Sequence, residues 1–507
     1  MRYYLGLDNG GTATKATLYT SDGMEIGTAL TNTPLITPYP GYNERDMEVM
    51  WRANCAVIRQ VIEKTRIDAR EIAGVAVCGH GKGLYLWGKD GRPVRNGIIS
   101  TDNRAWEYVR KWKDDGTEEK ASRISLQHVL ACQPVSLLAW LKDNEPGNAD
   151  RIQWVFECKD YIRFRLTGEA RAEITDYSGT NLMNLRSGSF DPELLRLFGI
   201  EEFAESLPPL CGSTDICGHI TQAAAAQTGL PAGTPVAGGM FDIDACALAV
   251  DITDEKHICM IAGTWSINEY IRSEPVTDGS VLMNSLYCMP GHYLIEECSP
   301  TSAGNNEWFV NTFLPELREQ ASAEGDGVYA YANKWVESVG PREFCPVFLP
   351  FLLASNVHPQ AMGCFVGMNN YHTRAHMMRS VYEGIAFSHR YHLERLLATR
   401  TEPAQSIRLA GGVAHSRVWT QIFADVMKLP VETVPSNETG TLGCAMAAAV
   451  ASGEYDSLKD AADGMCRINP QLIPDPENVG IYDRKYEMYK KVIDCLDGVW
   501  DSMHEMK

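Results

Sequence analysis

Residues 3–19, YYLGLDNGGTATKATLY, read as two short strands joined by a tight polar turn. The strands cover residues 3–7 and 15–19, and Asn-Gly between two such runs is a strong hairpin signal. Two successive glycines let neighbouring backbone N–H groups point at one anion, and Asp8 stands at the end of the first strand. We therefore expect a β-hairpin whose turn holds an anionic ligand, with a plain surface turn as the alternative.

The second half of the chain repeats this pattern in altered form. Residues 257–262 are strand-like, Gly263-Thr264 supplies a turn, and residues 266–271 continue as a strand. A third glycine turn, Gly411-Gly412, separates another short strand from a helix. This internal duplication predicts two related α/β lobes, with a boundary near residues 250–255 and a ligand cleft between the lobes.

Composition narrows the class of protein. At 507 residues, with 45% hydrophobic and 22% charged residues, the chain is long enough for two large domains. Its net charge of −19 at pH 7 disfavours nucleic acid and anionic membranes as partners, so we expect a small-molecule ligand. The 15 cysteines contain no C-x-x-C pair, and no apolar segment reaches the about 20 residues that span a bilayer. Together these features predict a cytoplasmic protein with free thiols.

Residues 238–249, GGMFDIDACALA, place two carboxylates among glycines, alanines and apolar side chains. An ionised carboxylate in such surroundings is costly unless something compensates its charge. The stretch reads as a strand end, a glycine pair and the start of a helix. Asp242 and Asp244 are two positions apart, a rotation of about 200° on a helix, so both cannot face one site. A helix N-cap is the structural alternative for Asp242.

Two loops suit the close approach of a small ligand. Gly79-His80-Gly81-Lys82-Gly83 follows a strand and alternates three glycines with two polar side chains. The polar loop Pro40–Asp46 precedes a predicted helix. Taken by itself, the first loop is equally compatible with a surface turn.

The three glycine turns, in this order, resemble the actin-like ATPase superfamily, in which two β-hairpins clamp the phosphates of ATP and a later glycine pair holds adenosine. Within that superfamily the chain resembles the FGGY carbohydrate kinases over nearly its full length. The motifs that carry the resemblance are Gly363–Met368 followed after seven residues by His376–Glu383, the loop Pro40–Asp46, Thr101–Ala105, Leu166–Gly168, and Gly411–Ser416 with Trp419, Gln421, Ala424 and Asp425. The resemblance implies an α/β fold of two actin-like (ribonuclease H-like) ATPase lobes with an interdomain cleft, the N-terminal lobe over residues 1–250 and the C-terminal lobe over residues 251–507.

The resemblance also implies site residues. Asp242 would be the general base, with Asp244 as the alternative, and His80, Lys82 and Asp102 would bind the sugar together with Asp242. ATP and Mg²⁺ would be the cofactors, with Asp8 holding the metal through water. Contacts to ATP are implied for the turns and their surroundings, namely Gly10, Gly11, Thr12, Lys15, Gly263, Thr264, Gly304, Gly411, Gly412 and Ser416.

The loop sequences point to a substrate within the family. The Gly-Lys-Gly loop, with residues 133–138 and 297–301, looks most like family members that phosphorylate L-xylulose to L-xylulose 5-phosphate, some of whose relatives act on 3-keto-L-gulonate. Lys82 is expected to pair with a substrate carboxylate, to donate to hydroxyls of a neutral sugar, or to lie in solvent. D-xylulose, ribulose, gluconate, glycerol and other polyols stay open as substrates, and a homodimer is an option because dimers are common among relatives.

Two further protein classes are alternatives to a sugar kinase. One is a catalytically inactive, sugar-sensing relative, and the other is a nucleotide-driven chaperone or filament. The presence of Asp8, Asp242 and both phosphate turns argues against an inactive relative. The two ligand-type loops argue against a chaperone or filament.

Overall fold

The computed structural model describes residues 2–325, 327–352, 355–358 and 360–506. It is a mixed α/β protein whose chain divides into two compact units. The first unit comprises Met1–Thr253, Ile271–Ile295 and Glu438–Cys466, and the second comprises Asp254–Tyr270, Glu296–Asn437 and Arg467–Lys507.

The strands of the described residues are numbered in chain order. They are β1 (Tyr3–Asn9), β2 (Ala13–Thr20), β3 (Glu25–Asn32), β4 (Glu44–Arg45), β5 (Ile72–Gly79), β6 (Tyr85–Gly88), β7 (Gly97–Ile98), β8 (Ile152–Phe156), β9 (Ala172–Glu173), β10 (Met183–Asn184), β11 (Ser189–Phe190), β12 (Leu210–Cys211), β13 (Ile216–His219), β14 (Pro235–Ala237), β15 (Met240–Phe241), β16 (His257–Ala262), β17 (Ser266–Arg272), β18 (Met283–Leu286), β19 (Tyr293–Ser299), β20 (Val347–Leu349), β21 (Cys364–Val366), β22 (Ser406–Ala410) and β23 (Val431–Thr433).

The α-helices are numbered in the same way. They are α1 (Met47–Thr65), α2 (Trp106–Asp114), α3 (Thr117–Ser125), α4 (Pro134–Asn144), α5 (Pro146–Ala149), α6 (Cys158–Thr167), α7 (Ile174–Tyr177), α8 (Pro192–Phe198), α9 (Gln222–Thr228), α10 (Asp242–Ala249), α11 (Gly304–Phe313), α12 (Glu316–Ala323), α13 (Val328–Glu337), α14 (Arg374–Ala398), α15 (Arg417–Met427), α16 (Thr439–Ala451), α17 (Leu458–Met465) and α18 (Pro476–His504). None of the helices in the described ranges is both long enough and apolar enough to cross a lipid bilayer.

The main sheet of the first unit has the strand order β13-β14-β5-β1-β2-β3, and β15 also pairs with β5. Strands β1, β2 and β3 are antiparallel neighbours, which confirms the predicted hairpin. Strand β5 runs parallel to β1 and to β15, so these three strands end at one edge of the sheet, at Asn9, Gly79 and Phe241. Open α/β sheets bind ligands at the carboxyl ends of parallel strands, which makes this edge the candidate site.

The sheet of the second unit repeats this arrangement. Its strands follow the order β18-β19-β17-β16-β22-β23, with β17 antiparallel to β16 and with β22 parallel to β16 and β23. In the first unit the corresponding order is β3-β2-β1-β5-β14. With the edge strands β13 and β18 left aside, the five strands of each set run third, second, first, fourth, fifth along the chain, which supports the predicted internal duplication.

Helices α1 and α16 pack on the sheet of the first unit. Helix α1 lies on β2 and β3, whereas α16 lies on β1 and β5. The backbone of α16 comes so close to β1 that a Cβ on Gly6 would lie 2.0 Å from the carbonyl oxygen of Thr441. It packs as closely on α10, because a Cβ on Gly443 would lie 2.2 Å from the carbonyl oxygen of Ala245. The small residues of α16 thus fix the position of α10, whose first residue is Asp242.

Candidate active site

The turn between β1 and β2 is held from behind by Arg45. The Arg45 guanidinium is fully buried and donates to the carbonyl oxygen of Gly10 (Nη1 to O, 3.0 Å) and to that of Gly11. In a trans peptide the N–H points away from the C=O, so the N–H groups of Gly11 and Thr12 point away from Arg45. A Cβ placed on Gly11 would meet no described atom within 4 Å. Gly11 and Thr12 are both exposed, so these backbone donors are accessible to a ligand and the turn has the form of an anion cradle.

Asp8 and Lys15 lie opposite each other at the base of this turn. The ammonium of Lys15 donates to Glu438, with 2.7 Å between Nζ and Oε2. Burial raises the pKa of Asp8 to about 6, the charge of Lys15 opposes this rise, and the charge of Glu438 adds to it. Sequence reasoning missed Glu438, since this residue reaches the hairpin only through the packing of α16 on β1.

One oxygen of Asp8 is a candidate metal contact. Its Oδ1 atom is buried and finds no hydrogen-bond partner within the described parts of the chain. Those parts also contain no group of three or more His, Cys, Asp or Glu side chains arranged to hold a metal. Mg²⁺ keeps several waters and takes one or two carboxylates together with phosphate oxygens, so it does not require such a group. A single unpartnered carboxylate oxygen beside the anion cradle fits a Mg²⁺ ion held through water.

Asp242 reaches the same sheet edge from β15, a short strand that the sequence did not predict. Met240 of β15 pairs with Cys78 of β5, and Asp8 of β1 pairs with the same Cys78. Asp242 and Asp8 therefore stand near the carboxyl ends of two strands that both pair with β5. The turn before β15 is made by Gly239, with φ +74°, where a Cβ would lie 1.9 Å from the carbonyl oxygen of the facing β5 residue.

The electrostatic surroundings of Asp242 are mainly acidic. Burial raises the pKa of Asp242 well above its ordinary value, the charges of Asp8 and Asp176 raise it further, and the charge of Lys82 lowers it. Phe241 occupies the N-cap position of α10, so the N-cap interpretation of Asp242 is wrong. A partly exposed carboxyl group with a raised pKa at a strand end is suited to accept a proton.

Asp244, the second carboxylate of this segment, is bonded within the protein interior. Its side chain is completely buried, and Oδ1 accepts the backbone N–H of Cys288 at 3.1 Å. Burial raises the pKa of Asp244 well above its ordinary value, and the charge of Glu173 adds to the rise. The two carboxylates of this segment do not form a pair, as their helical spacing predicts.

His80 is fixed in the loop that follows β5. Its Nε2 atom is 2.8 Å from the hydroxyl oxygen of Tyr85, and its backbone N–H donates to the carbonyl oxygen of Asn9 at 3.1 Å. Burial lowers the pKa of His80 to about 3, and the charge of Arg45 adds to this effect. The ring is therefore neutral at physiological pH and serves as a hydrogen-bonding group.

Lys82 is buried in the same loop, which rules out the interpretation that it lies in solvent. Its backbone is left-handed, with φ +63°, and only 7% of its surface is exposed. The Nζ atom lies 5.2 Å from the ring centroid of Phe241, the residue before Asp242. The structure thus brings a lysine to the strand edge that carries the candidate base.

Asp102 has both carboxylate oxygens occupied by the protein. Its Oδ1 accepts the backbone N–H and the Nε–H of Arg104, each at 2.9 Å. Its Oδ2 accepts Arg104 Nη2 at 2.9 Å and the backbone N–H of Asn43 at 2.6 Å. Asp102 therefore fixes the loop Pro40–Asp46 in place.

A buried ionic network supports the segment that leads to Asp242. The backbone N–H of Phe241 donates to Thr175 Oγ1 at 2.8 Å, and that hydroxyl donates to Glu173 Oε2 at 2.6 Å. The carbonyl oxygen of Gly238 accepts Arg163 Nη1 at 2.5 Å. Sequence reasoning missed this network, although the charged run CKDYIRFR at the start of α6 was a visible signal.

In the second unit, four predicted ATP contacts lie in one neighbourhood. Gly411 has φ +87°, and a Cβ there would lie 2.6 Å from the carbonyl oxygen of Ala262, the last residue of β16. Gly263-Thr264 follows directly as the turn into β17. Gly304 begins the ten-residue helix α11, and a Cβ on it would lie 3.9 Å from the Cα of Thr264.

Ser416 closes the segment after Gly411-Gly412. It is the N-cap of α15, and its Oγ accepts the backbone N–H of Trp419 at 3.2 Å. The same hydroxyl donates to Asn333 Oδ1 at 2.8 Å. Beside it, the rings of Tyr382 and Trp419 are stacked with centroids 3.9 Å apart. Ser416 thus connects the glycine turn to a packed aromatic pair.

Comparison with known proteins agrees with this geometry. The chain is 38% identical to the L-xylulose/3-keto-L-gulonate kinase of Escherichia coli (strain K12), over 98% of either chain. It is 36% identical to a probable L-xylulose kinase of Pasteurella multocida, over 98% of this chain and 99% of the relative. A crystal structure of xylulose kinase from Rhodospirillum rubrum superposes with a TM-score of 0.85 and 26% identity, covering 99% of this chain and 100% of that one.

Family models match both halves of the chain. The N-terminal domain of the FGGY family of carbohydrate kinases matches residues 3–249, and its C-terminal domain matches residues 258–452. The first match includes the β1–β2 turn and Asp242, and the second includes the turns at Gly263 and Gly411. Two sheets that share the order of five strands, each with its own glycine turn, fit the actin-like ATPase fold of this family. The chain therefore belongs to the FGGY family of carbohydrate kinases, which transfer a phosphoryl group from ATP to a small sugar.

Proposed function

We propose that the chain is a ketopentose kinase that converts L-xylulose to L-xylulose 5-phosphate or acts on the related 3-keto-L-gulonate. The observation that carries this proposal is the 38% identity, over nearly the whole chain, to a relative named for these two substrates. The sheet edge on which Asp8, Lys82 and Asp242 lie supports it, because it offers a base and a cation to a sugar hydroxyl.

The proposed chemistry assigns one proton transfer to Asp242. Its carboxylate takes the proton of the sugar hydroxyl while that oxygen attacks the γ-phosphorus. Lys82 and neutral His80 orient the sugar by hydrogen bonds, and Asp102 contributes through the loop it fixes. Positioning and charge neutralisation are the main demands of phosphoryl transfer, and these side chains are held by buried contacts.

For ATP we propose contacts on both units. On the first unit, the N–H groups of Gly11 and Thr12, the turn residue Gly10 and the Lys15 ammonium bind the terminal phosphates. On the second, the turn and helix-start residues Gly263, Thr264 and Gly304 bind phosphate, and the adenosine pocket is lined by Gly411, Gly412 and Ser416. We also propose that residues 1–250 act as the sugar-binding lobe and residues 251–507 as the adenosine lobe.

Mg²⁺ is the proposed metal, and Asp8 is its proposed protein partner through water. When bound, the ion neutralises charge on the phosphate oxygens. The protein's own contribution is the Lys15 ammonium, whose charge opposes the rise in the pKa of Asp8 caused by burial, and a carboxylate oxygen of Asp8 that has no protein partner among the described residues.

We further propose a cytoplasmic location, because all 15 cysteines are free thiols and most are buried, as a reducing compartment permits. A homodimer stays a prediction from the family. Neither proposal enters the chemistry above.

The first prediction tests the substrate. Purified enzyme should release ADP from ATP in a coupled assay when L-xylulose is added. The second candidate substrate to test in the same assay is 3-keto-L-gulonate. D-xylulose, ribulose, gluconate and glycerol complete the panel. A higher kcat/KM with one of these four sugars would contradict the proposed substrate. ATP hydrolysis that needs no sugar would favour a chaperone or filament. The absence of ATP turnover with every sugar would favour a sugar sensor.

The second prediction concerns the residue behind the phosphate turn. Arg45→Met removes the donors to the carbonyl oxygens of Gly10 and Gly11, so the cradle loses its fixed shape. We expect the KM for ATP to rise about fivefold, the equivalent of one lost hydrogen bond. The measurement is initial-rate kinetics at saturating sugar.

The matched control is Arg95→Met. Arg95 is largely buried and pairs with Glu44 and Glu145, but among the described residues it makes no hydrogen bond or ion pair with the turn. We expect its KM for ATP to stay near that of the wild type even if its melting temperature falls. Equal rises of KM in both variants would argue against a specific role of Arg45 in the cradle.

A further inference from the structure

Phe241 connects the candidate base to the loop Gly79–Gly83, and the proposed chemistry gives it no role. It is the last residue of β15, it pairs with Gly79 of β5, and it immediately precedes Asp242. Its backbone N–H donates to Thr175 Oγ1 at 2.8 Å, and only 6% of its surface is exposed. The strand pairing and this hydrogen bond therefore fix the backbone from which the buried ring extends.

The ring of Phe241 occupies the space beside Gly81. A Cβ on Gly81 would lie 2.5 Å from Cε2 and 2.7 Å from Cζ of Phe241, and 2.7 Å from Oδ1 of Asp176. Non-bonded carbon atoms prefer separations of about 3.5–4.0 Å, so a side chain at position 81 would displace the ring. The φ of Gly81 does not lie in the left-handed region, so backbone strain does not require glycine there. The close contact alone is what a side chain at this position would disturb.

The same ring lies close to the ammonium of Lys82. The Nζ atom is 5.2 Å from the ring centroid, which is within the range of a cation–π interaction. Lys82 is buried and has a left-handed backbone, with φ +63°. A buried ammonium and a left-handed backbone both cost free energy in a lysine, and the ring offsets part of this cost. The ring thus helps to hold the ammonium in its position.

Two groups of the candidate site are therefore fixed by different parts of one residue. The ring of Phe241 packs on the loop that carries Lys82, whereas its backbone leads directly into α10, whose first residue is Asp242. A cation and a base that act on one sugar have to keep their relative position, since a displacement of about 1 Å can lower a rate by about 100-fold.

We propose that Phe241 is a positioning residue that holds the Lys82 ammonium and the Asp242 carboxylate in the relative arrangement needed for sugar phosphorylation. This role rests on the proposed function, in which Lys82 orients the sugar and Asp242 takes its proton. Phe241 itself neither binds the sugar nor transfers a proton, and it acts only through these two neighbours.

The main test is Phe241→Leu, which keeps an apolar side chain but removes the ring. We expect kcat/KM for the sugar to fall about tenfold, the fold-change that corresponds to losing a buried cation–π interaction. The KM for ATP should stay near that of the wild type. Initial-rate kinetics with each substrate varied in turn measure both quantities, and an unchanged kcat/KM for the sugar would overturn the inference.

The matched control is Phe198→Leu. Phe198 is also a buried aromatic residue of the first unit, but it packs on Trp112, with ring centroids 4.6 Å apart. Its replacement should lower the melting temperature and leave kcat/KM for the sugar near the wild-type value. Equal losses of kcat/KM in the two leucine variants would reduce the effect of Phe241→Leu to general destabilisation and would overturn the inference.

A double variant separates positioning of Lys82 from a merely structural effect. If the ring acts by holding the ammonium, Lys82→Met and Phe241→Leu remove the same interaction. The double variant should then lose little more kcat/KM for the sugar than Lys82→Met alone, because effects of coupled residues do not add. Losses that multiply would mean that the two residues act independently, which contradicts the inference.

Gly81→Ala tests the same contact from the loop and gives an independent result if Phe241→Leu does not fold. The added Cβ displaces the ring, so kcat/KM for the sugar should fall about tenfold or more. Gly464→Ala is the matched control, since its Cβ would lie 2.7 Å from Cε1 of Tyr455, another aromatic ring of the first unit. Wild-type kinetics in Gly81→Ala, or an equal loss in Gly464→Ala, would overturn the inference.

Combining Gly81→Ala with Phe241→Leu shows which neighbour of Gly81 matters. The smaller leucine leaves room for the Cβ, so the combined variant should lose no more kcat/KM for the sugar than Phe241→Leu does. A further loss would mean that Gly81→Ala acts through Asp176 and not through the ring, which contradicts the inference.

Failure of the proposed function is separately visible, because it is judged on the wild type alone. The variants are compared with whichever sugar of the panel gives the highest wild-type kcat/KM. The substrate proposal can thus fail while the role of Phe241 is still decided. ATP turnover that needs no sugar, or no turnover with any sugar, overturns the proposed function and the role of Phe241 together.

Discussion

Replacing Asp242 by Asn is expected to lower kcat for sugar phosphorylation by about 10³-fold, because the amide cannot accept the proton of the attacking hydroxyl. The KM for the sugar should change little, since Asn keeps the size and most hydrogen bonds of the side chain. Burial and the charge of Asp8 hold the pKa of Asp242 well above its ordinary value, which makes the ionised form a stronger base. Steady-state kinetics and a direct sugar-binding titration together separate the two effects.

Asp244→Asn is the matched control, in the same helix and two residues away. Asp244 is completely buried and accepts the backbone N–H of Cys288, a bond that the Asn side-chain oxygen can keep. We expect its kcat to stay within about threefold of the wild type, an energy below that of one hydrogen bond, even if the free energy of unfolding falls. If Asp244→Asn lowers kcat far more than Asp242→Asn does, Asp244 is the base.

The elements of the site that depend on local sequence could be predicted. Asn9-Gly10 between two strand-like runs specifies a hairpin through backbone conformation alone, and the structure has that hairpin. The divergence of Asp242 and Asp244 follows from the helical repeat in the same way. Strand β15 escaped prediction because two residues carry no periodic pattern.

The side chains behind the site could not be predicted, because tertiary packing brings them there. Lys159 and Arg163 are fully buried, yet the run CKDYIRFR reads like the exposed side of a surface helix. Glu157 looks like an ordinary N-cap residue until both of its oxygens are found buried. Glu438 reaches Lys15 across 423 positions of sequence. No local rule relates residues so far apart.

The division of the chain into two units also depends on tertiary packing. Ile271–Ile295 and Glu438–Cys466 group with the first unit, although they follow the start of the second in sequence. Helix α16 belongs there because Gly6 and Gly443 permit close contact with its neighbours. Sequence patterns locate two lobes through their repeated hairpins, but they do not reveal that later segments of the chain pack with the first unit. The lobe boundary at residues 250/251 stays a prediction.

Asp8→Asn is expected to lower kcat by about 10- to 100-fold, the range for losing a group that holds a metal through an intervening ligand. The substitution removes the negative charge at the end of β1 and replaces one carboxylate oxygen by a donor, which repels a cation instead of attracting it. The Mg²⁺ concentration that gives half-maximal activity should therefore rise along with the fall in kcat. Initial rates over a Mg²⁺ titration at fixed ATP measure both quantities.

Asp191→Asn serves as the control for a generic loss of aspartate in the first unit. Asp191 accepts the backbone N–H of Glu193 and the side-chain amide of Asn184, so its oxygens are used by the protein and not by a ligand. Its Mg²⁺ titration should match that of the wild type. If Asp8→Asn lowers kcat without changing the Mg²⁺ requirement, Asp8 acts on the phosphates or on Asp242 instead. In that case the unpartnered Oδ1 atom of Asp8 is not a metal contact, because its loss would leave the affinity for Mg²⁺ intact.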